Sequence, residues 1–486
     1  MAHPVAAAEF IVLLDTGSSD LYLNTTGRNV RYTNTTDVVA VEKYGKGSAT
    51  GNIAFAELRL GPYVIPSQAF LDITESEDSS HDGIMGVAFD VASIYENLTL
   101  AWGSEAAFEL GKSPMTNLFA LEPSLPNFFD VHLGRADPSS PNGQTGDGLF
   151  SISVHKPGYE AVTSAPKLSR VTPEHWSVLL DSMQINGQPF TFNQSSVEGV
   201  PAGKTVAVLD TGFSLPGLPP AAADAIYSTI PGALWSESEG YYVVPCNSSA
   251  NLSFTLGGVE YPVHPLDVSL INVVEAVVNG TDMNFAFCFG AFTRLSLPPV
   301  GFTGFDMILG AAFLRNVYAT FDYGDFDPIT NTESTPFVQM LSTVTDLSAA
   351  WGEFYASRAR ASASGITILD PEDYLNNFAN AGSSAGSGSD STDSAQPDAD
   401  VSVSGASSTD DSDDAHKSDT GKYGLAAVGL LGANLAIGIV LLGITLTMCL
   451  RGGMKGKSAG GPRYTPVKFK EPADNDPEAA HLRYGD

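Results

Sequence analysis

The chain has 486 residues, room for two or three domains, and 43% of them are apolar, enough for buried cores. A formal net charge of −31 excludes backbone-directed nucleic-acid binding, which needs lysines and arginines to displace counterions. The same carboxylate excess suits work at low pH, where these groups protonate and self-repulsion falls.

Residues 1–14 contain neither a basic n-region nor an apolar run long enough for a secretion signal, so the expectation is an N-terminally truncated chain. Ile11-Val12-Leu13-Leu14 then leads into Asp15-Thr16-Gly17-Ser18-Ser19, which reads as a short buried strand entering a tight turn. Residues 39–61 read as a hairpin that returns through Ile53, Phe55, Leu58 and Leu60. Gly45 and Gly47 permit the positive φ angles of a tight turn beside Tyr44 and Lys46, and such a hairpin can bend over a cleft and exclude water.

Val206-Ala207-Val208-Leu209 leads into Asp210-Thr211-Gly212-Phe213-Ser214, a second copy of the first pattern. An apolar-apolar-Gly element follows each copy, Gly86 lying 71 residues after Asp15 and Gly310 lying 100 after Asp210. The chain therefore reads as two copies of one strand-rich lobe. Apolar runs rarely exceed eight residues between Gly, Pro, Asn and Ser clusters, which makes the fold all-β with a few short helices.

Leu347, Trp351, Phe354 and Tyr355 sit at roughly helical spacing, so residues 346–378 are expected to form a short helical packing or stalk segment. Residues 379–421 are an acidic Ser/Gly-rich linker with too little apolar content to offset ordering entropy, so they are expected to be disordered. Tyr423–Leu450 holds 28 uncharged residues between Lys422 and Arg451, long enough for a transmembrane helix. Basic residues from Arg451 onward place the 451–486 tail in the cytoplasm, which makes a single-pass type I membrane protein the expectation. Its folded part would be extracellular or lumenal, at the cell surface or in an acidic endomembrane compartment. Seven Asn-X-Ser/Thr sequons, at Asn24, Asn34, Asn97, Asn193, Asn247, Asn251 and Asn279, all precede the span and fit that side. Of three cysteines, Cys449 lies at the membrane edge; the remaining pair suggests one disulfide in an oxidising compartment.

Asp-Thr-Gly alone often makes an ordinary loop. Two copies, each behind four aliphatic residues and each followed within two positions by Ser, point to chemistry. Two carboxylates held side by side cannot both ionise cheaply, so they share a proton and titrate as a pair. The ionised member takes a proton from water while the protonated member donates to a carbonyl oxygen.

Over roughly residues 10–345 these ordered motifs resemble a pepsin-type aspartic endopeptidase, a fungal-like, membrane-anchored one. The resemblance implies a bilobal fold, with an N-terminal lobe at 1–165 that lacks its first strand and a C-terminal lobe at 166–345. It makes Asp15 and Asp210 the dyad that activates water, Thr16 and Thr211 the pair that locks the two loops, and Gly17 and Gly212 the places where backbone amides approach the carboxylates. Ser18 is placed to hydrogen-bond Asp15. Tyr44, Gly45 and Lys46 match the flap, and Tyr22 stands where the family often has a tryptophan. Cys246 and Cys288 match the disulfide of the second lobe. Phe213 departs from the pattern, because the family usually has a hydroxyl there. No cofactor or metal is implied; an extended polypeptide substrate and a monomer are. The competing expectation, from Phe213 and the absent first strand, is a catalytically impaired, membrane-tethered binding or adhesion module.

Overall fold

The first Asp-Thr-Gly closes a four-residue strand, β1 (Val12–Asp15), that lies at the edge of a six-stranded sheet in a computed structural model of the chain. The structure describes residues 8–379 except 44–47, 74–80, 91–92, 136–147, 279–280, 296, 298–303 and 328–331. The hairpin tip with Tyr44, Gly45 and Lys46, the sequon Asn279, the 380–421 part of the linker, the expected span and the tail lie outside these residues.

The first lobe continues through β2 (Leu21–Asn24), β3 (Tyr32–Lys43), β4 (Ser48–Leu60), β5 (Tyr63–Ile73), β6 (Gly83–Gly86) and the helix α1 (Ser93–Trp102). The sheet runs β1-β6-β2-β5-β4-β3. β1 pairs in parallel with β6, Asp15 opposite Gly86, and β6 pairs antiparallel with β2. Gly86 is bare because a Cβ there would strike the backbone of Ser19 and Asp20.

The second lobe repeats this plan. The buried strand Thr205–Leu209 pairs in parallel with Met307–Leu309, Leu209 opposite Leu309, and Met307–Leu309 meets Gly217–Leu218 in antiparallel. Two chain halves with one pattern of apolar strands thus give two equivalent strand triplets, each ending in an Asp-Thr-Gly.

A third sheet joins the lobes by drawing strands from both halves: Leu149–Ile152, Phe128–His132, Val317–Asp322, Phe337–Ser342 and Leu168–Ser169, in that order. Over it sits fully buried Trp176, packed among Phe89, Phe129, Phe321 and Tyr323. Its indole N–H donates to the Val87 carbonyl at 3.0 Å, and the Tyr323 hydroxyl donates to the same oxygen at 2.6 Å. An aromatic core with satisfied polar tips fixes the floor beneath the two loops.

The C-terminal segment closes on the second lobe. Cys246 and Cys288 are bonded, their Cα atoms 5.0 Å apart. Asp346 caps the helix Leu347–Ala363, accepting the Ser348 and Ala349 N–H groups at 2.9 and 3.0 Å. Phe354 of this helix is buried, and Trp351 donates to the Asn251 carboxamide oxygen at 2.6 Å. Farther on, Tyr374 stacks on Phe287 with ring centroids 3.8 Å apart. Among the described residues no helix is long and apolar enough to cross a membrane.

Candidate active site

Asp15 and Asp210 end their strands in the core and are each only 3% exposed. The Gly17 N–H donates to Asp15 Oδ1 at 2.8 Å, and the Gly212 N–H donates to Asp210 Oδ1 at 2.9 Å. The Ser18 hydroxyl donates to the other Asp15 oxygen. A Cβ on Gly17 would collide with the Asp210 carboxylate, and one on Gly212 would collide with that of Asp15. Each glycine therefore makes room for the carboxylate of the opposite lobe, and any side chain at either place would drive the pair apart.

The two threonines hold the loops in that position. The Thr16 N–H donates to Thr211 Oγ1 at 3.0 Å, and the Thr211 N–H donates to Thr16 Oγ1 at 2.9 Å. Their hydroxyls donate onward across the junction, Thr16 to the Leu209 carbonyl at 2.8 Å and Thr211 to the Leu14 carbonyl at 2.6 Å. Four hydrogen bonds, three of them buried, cross between lobes, and losing either hydroxyl would leave an amide of the other lobe unpaired at about 1–3 kcal/mol.

Burial, then the Asp15 charge and the hydrogen bond shared with Asp15, raise the pKa of Asp210 well above the usual carboxylate range; the Gly212 and Phe213 N–H groups pull it partly back. The Phe213 ring packs with Val206, Val208, Phe305 and Ile308, and its carbonyl accepts the Ala311 N–H at 2.7 Å. The two loops are consequently unequal. Asp15 has a side-chain hydroxyl donor in Ser18, while position 213 gives Asp210 only backbone.

Two neighbours escaped the sequence reading. Asp20 and Glu42, 6% and 8% exposed, form a second buried carboxyl pair. The Ile94 N–H and Ser93 hydroxyl, at the start of α1, donate to Asp20 Oδ2 at 3.0 and 3.1 Å. Burial pushes Asp20 up to about 6. Burial, the Asp20 charge and the more distant Asp15 charge push Glu42 up to about 8. This pair ties the stem of the β3–β4 hairpin, two residues from Tyr44, to the loop that carries Asp15. His175 is the other neighbour: its Nδ1 lies 3.3 Å from the Gly17 carbonyl, and burial lowers its pKa. Tyr22 lies buried on β2, in the cluster with Ile53, Phe55 and Ile84. Among the described residues no group of three or more His, Cys, Asp or Glu is placed to hold a metal ion.

A family model for the eukaryotic aspartyl protease matches residues 6–327. The chain belongs to the eukaryotic aspartyl protease family. Relatives include major aspartyl peptidase 1 of Cryptococcus neoformans var. grubii, 26% identical over 344 residues, or 65% of this chain and 64% of that protein. Cathepsin E of Mus musculus is 26% identical over 347 residues, 65% of this chain and 75% of its own length. The vacuolar aspartic protease of Candida albicans is 28% identical over 340 residues, 64% of this chain and 69% of its own. The match thus covers a little under two thirds of the Cryptococcus aspartyl protease, and this chain continues past residue 327 into the helix that docks on its second lobe.

Proposed function

We propose that the protein is an aspartic endopeptidase that hydrolyses peptide bonds of extended polypeptides at acid pH. The observation that carries this reading is the meeting of the two Asp-Thr-Gly loops, where the glycine of each lobe makes room for the carboxylate of the other. Asp210, its proton affinity raised by burial and by Asp15, holds the shared proton and donates it to the substrate carbonyl oxygen. Asp15, which receives the Ser18 hydroxyl and the Gly17 N–H, takes the proton of the attacking water. Both are buried, so the exchange runs in a medium where hydrogen bonds are strong.

The test is cleavage of an unfolded protein from pH 3 to 7, with and without a statine inhibitor, beside Asp15→Asn and Asp210→Asn. Inhibitable acid cleavage, reduced at least about a thousandfold in both variants, is expected for residues that act as one unit. A folded chain that neither cleaves nor binds the inhibitor would sink the protease reading. That outcome leaves a binding module, for which the side-chain donor missing beside Asp210 speaks.

The protein is further proposed to be a monomer on a single-pass type I anchor at Tyr423–Leu450, its catalytic part outside the cytoplasm or in an acidic lumen. The uncharged run between Lys422 and Arg451 supports the span, and exposed sequons at Asn34, Asn193 and Asn251 suit glycosylation on that side. Alkaline carbonate washing should leave the full chain with the membrane; release into the wash would end the tether proposal.

A further inference from the structure

Arg358 is the one lysine or arginine among the described residues that is buried, at 5% exposure. The other charged residues buried to that degree have partners. Asp15 faces Asp210, and Asp20 faces Glu42. Asp267 is held by Arg135 and Arg315, and Asp130 receives the hydroxyls of Tyr318 and Thr320 with His155 beside it. Arg358 has no carboxylate among the described residues. Its Nη2 donates to the Ser269 carbonyl, its guanidinium lies 5.1 Å from the centre of the Phe354 ring, and its Nε–H is buried without an acceptor. The Ser269 hydroxyl beside it is also buried and unpartnered. Burial lowers the guanidinium pKa to about 10, which leaves it charged at any pH where the protein works. A buried cation with neither counter-charge nor full hydrogen bonding is rare, since such groups are normally paired.

Arg358 lines a surface cleft of about 460 Å³ between the helix Leu347–Ala363 and the second lobe. That volume suits a small molecule. The rest of the cleft is largely apolar: Tyr355 and Ala359 on the helix, and Pro245, Ile368 and Leu369 opposite. Asp370, the carboxylate among the lining residues, caps the next helix by accepting the Asp373 N–H at 2.9 Å. Seven of the ten residues that line the cleft, Arg358 among them, lie beyond residue 327, where the family match ends, and the other three, Pro245 to Asn247, lie within it.

We propose that this cleft binds an organic monocarboxylate with an aliphatic body, of the medium-chain fatty-acid class, its carboxylate paired with Arg358 and its chain on the Pro245, Ile368 and Leu369 wall. The carboxylate supplies the counter-charge that the Arg358 guanidinium lacks at the wall of the cleft. A single guanidinium matches one carboxylate better than a phosphate dianion, which asks for more donors, and the apolar wall favours an acyl chain over a free inorganic anion.

The experiment uses the full chain in membranes and a decanoate carrying a diazirine, cross-linked by light at neutral pH and mapped by peptide sequencing. Label is expected on the 245–247 and 355–370 segments, competed by decanoate and poorly by decanol. Arg358→Met keeps the length of the side chain and removes its charge; it should cut this labelling about tenfold, as expected when one partner of a desolvated charge pair is lost, while protein cleavage is unchanged. Should that variant fail to fold, Leu369→Trp, which fills the apolar wall, is to lose the label instead. Labelling confined to other segments, equal competition by decanol, or full labelling in a folded variant of either kind would overturn the proposal.

Discussion

Glu42 shows how one residue couples the dyad to pH. A carboxyl whose folded pKa is raised binds its proton more tightly in the native state than in the unfolded chain. Its contribution to stability is therefore complete below its ordinary value, and is lost as pH rises toward the folded value. For Glu42 that window runs from about 4.5 to about 8, and for Asp20 from about 3.8 to about 6. Glu42→Gln keeps the shape and the hydrogen bonding but carries no charge to bury. At pH 4 the variant should match the parent, and at pH 8 it should be more stable by about 1–3 kcal/mol. Urea denaturation at the two pH values reads this directly, and an equal difference at both would show that the pair does not share a proton.

The elements explain why part of the site could be read and part could not. The two Asp-Thr-Gly turns are local signals, an apolar run closed by a fixed tripeptide, and their duplication alone implies that they meet. The Asp20–Glu42 pair leaves no such trace. Along β3 the valines would be expected to face inward, yet Val39 and Val41 are 50% and 45% exposed while Ala40 and Glu42 are buried. The hairpin turns its aliphatic face outward, and its acidic residue comes to lie against Asp20 through contacts distant in sequence, which residue alternation does not encode. The direction of Phe213 is likewise set by a tertiary cluster. The helix Leu347–Ala363 was legible from the spacing of Leu347, Trp351 and Phe354, but its docking depends on Asn251, which accepts from Trp351, and on the Ser269 carbonyl, which accepts from Arg358, both far earlier in the chain. Because tertiary contacts hold that helix, loss of its cap should weaken rather than abolish it: Asp346→Ala is expected to cost about 1 kcal/mol, measured as a lower urea midpoint with cleavage intact. No change would mean that the last turn of packing, not the cap, sets the helix start.

Over the whole molecule the titrating groups pull in two directions, and their balance fixes the pH of greatest stability. Burial raises Asp20, Glu42, Asp210 and Asp322, with the Asp20 charge adding to the rise at Glu42 and the Asp15 charge to that at Asp210; all four hold their protons best in the native state, so stability falls as pH climbs above about 4. His175 and His264 are lowered, chiefly by burial and for His264 also by Arg135, so each withdraws stability as pH falls below about 6.5. Burial pushes Asp267 up, but Arg315 and Arg135 outweigh it and hold the carboxyl below its usual range, so its contribution is lost only as pH falls below about 4. The raised carboxyls outnumber the lowered histidines, four to two. The net charge of −31 adds repulsion that grows over the same rise in pH. Thermal unfolding of the full chain should therefore show its highest Tm between about pH 4 and 5.5, falling on the alkaline side, with Glu42→Gln flattening that fall. A maximum above pH 7 would mean that the buried carboxyls are ionised in the native protein. The dyad would then lack the proton that the proposed mechanism requires, and an acid optimum of cleavage would need another cause.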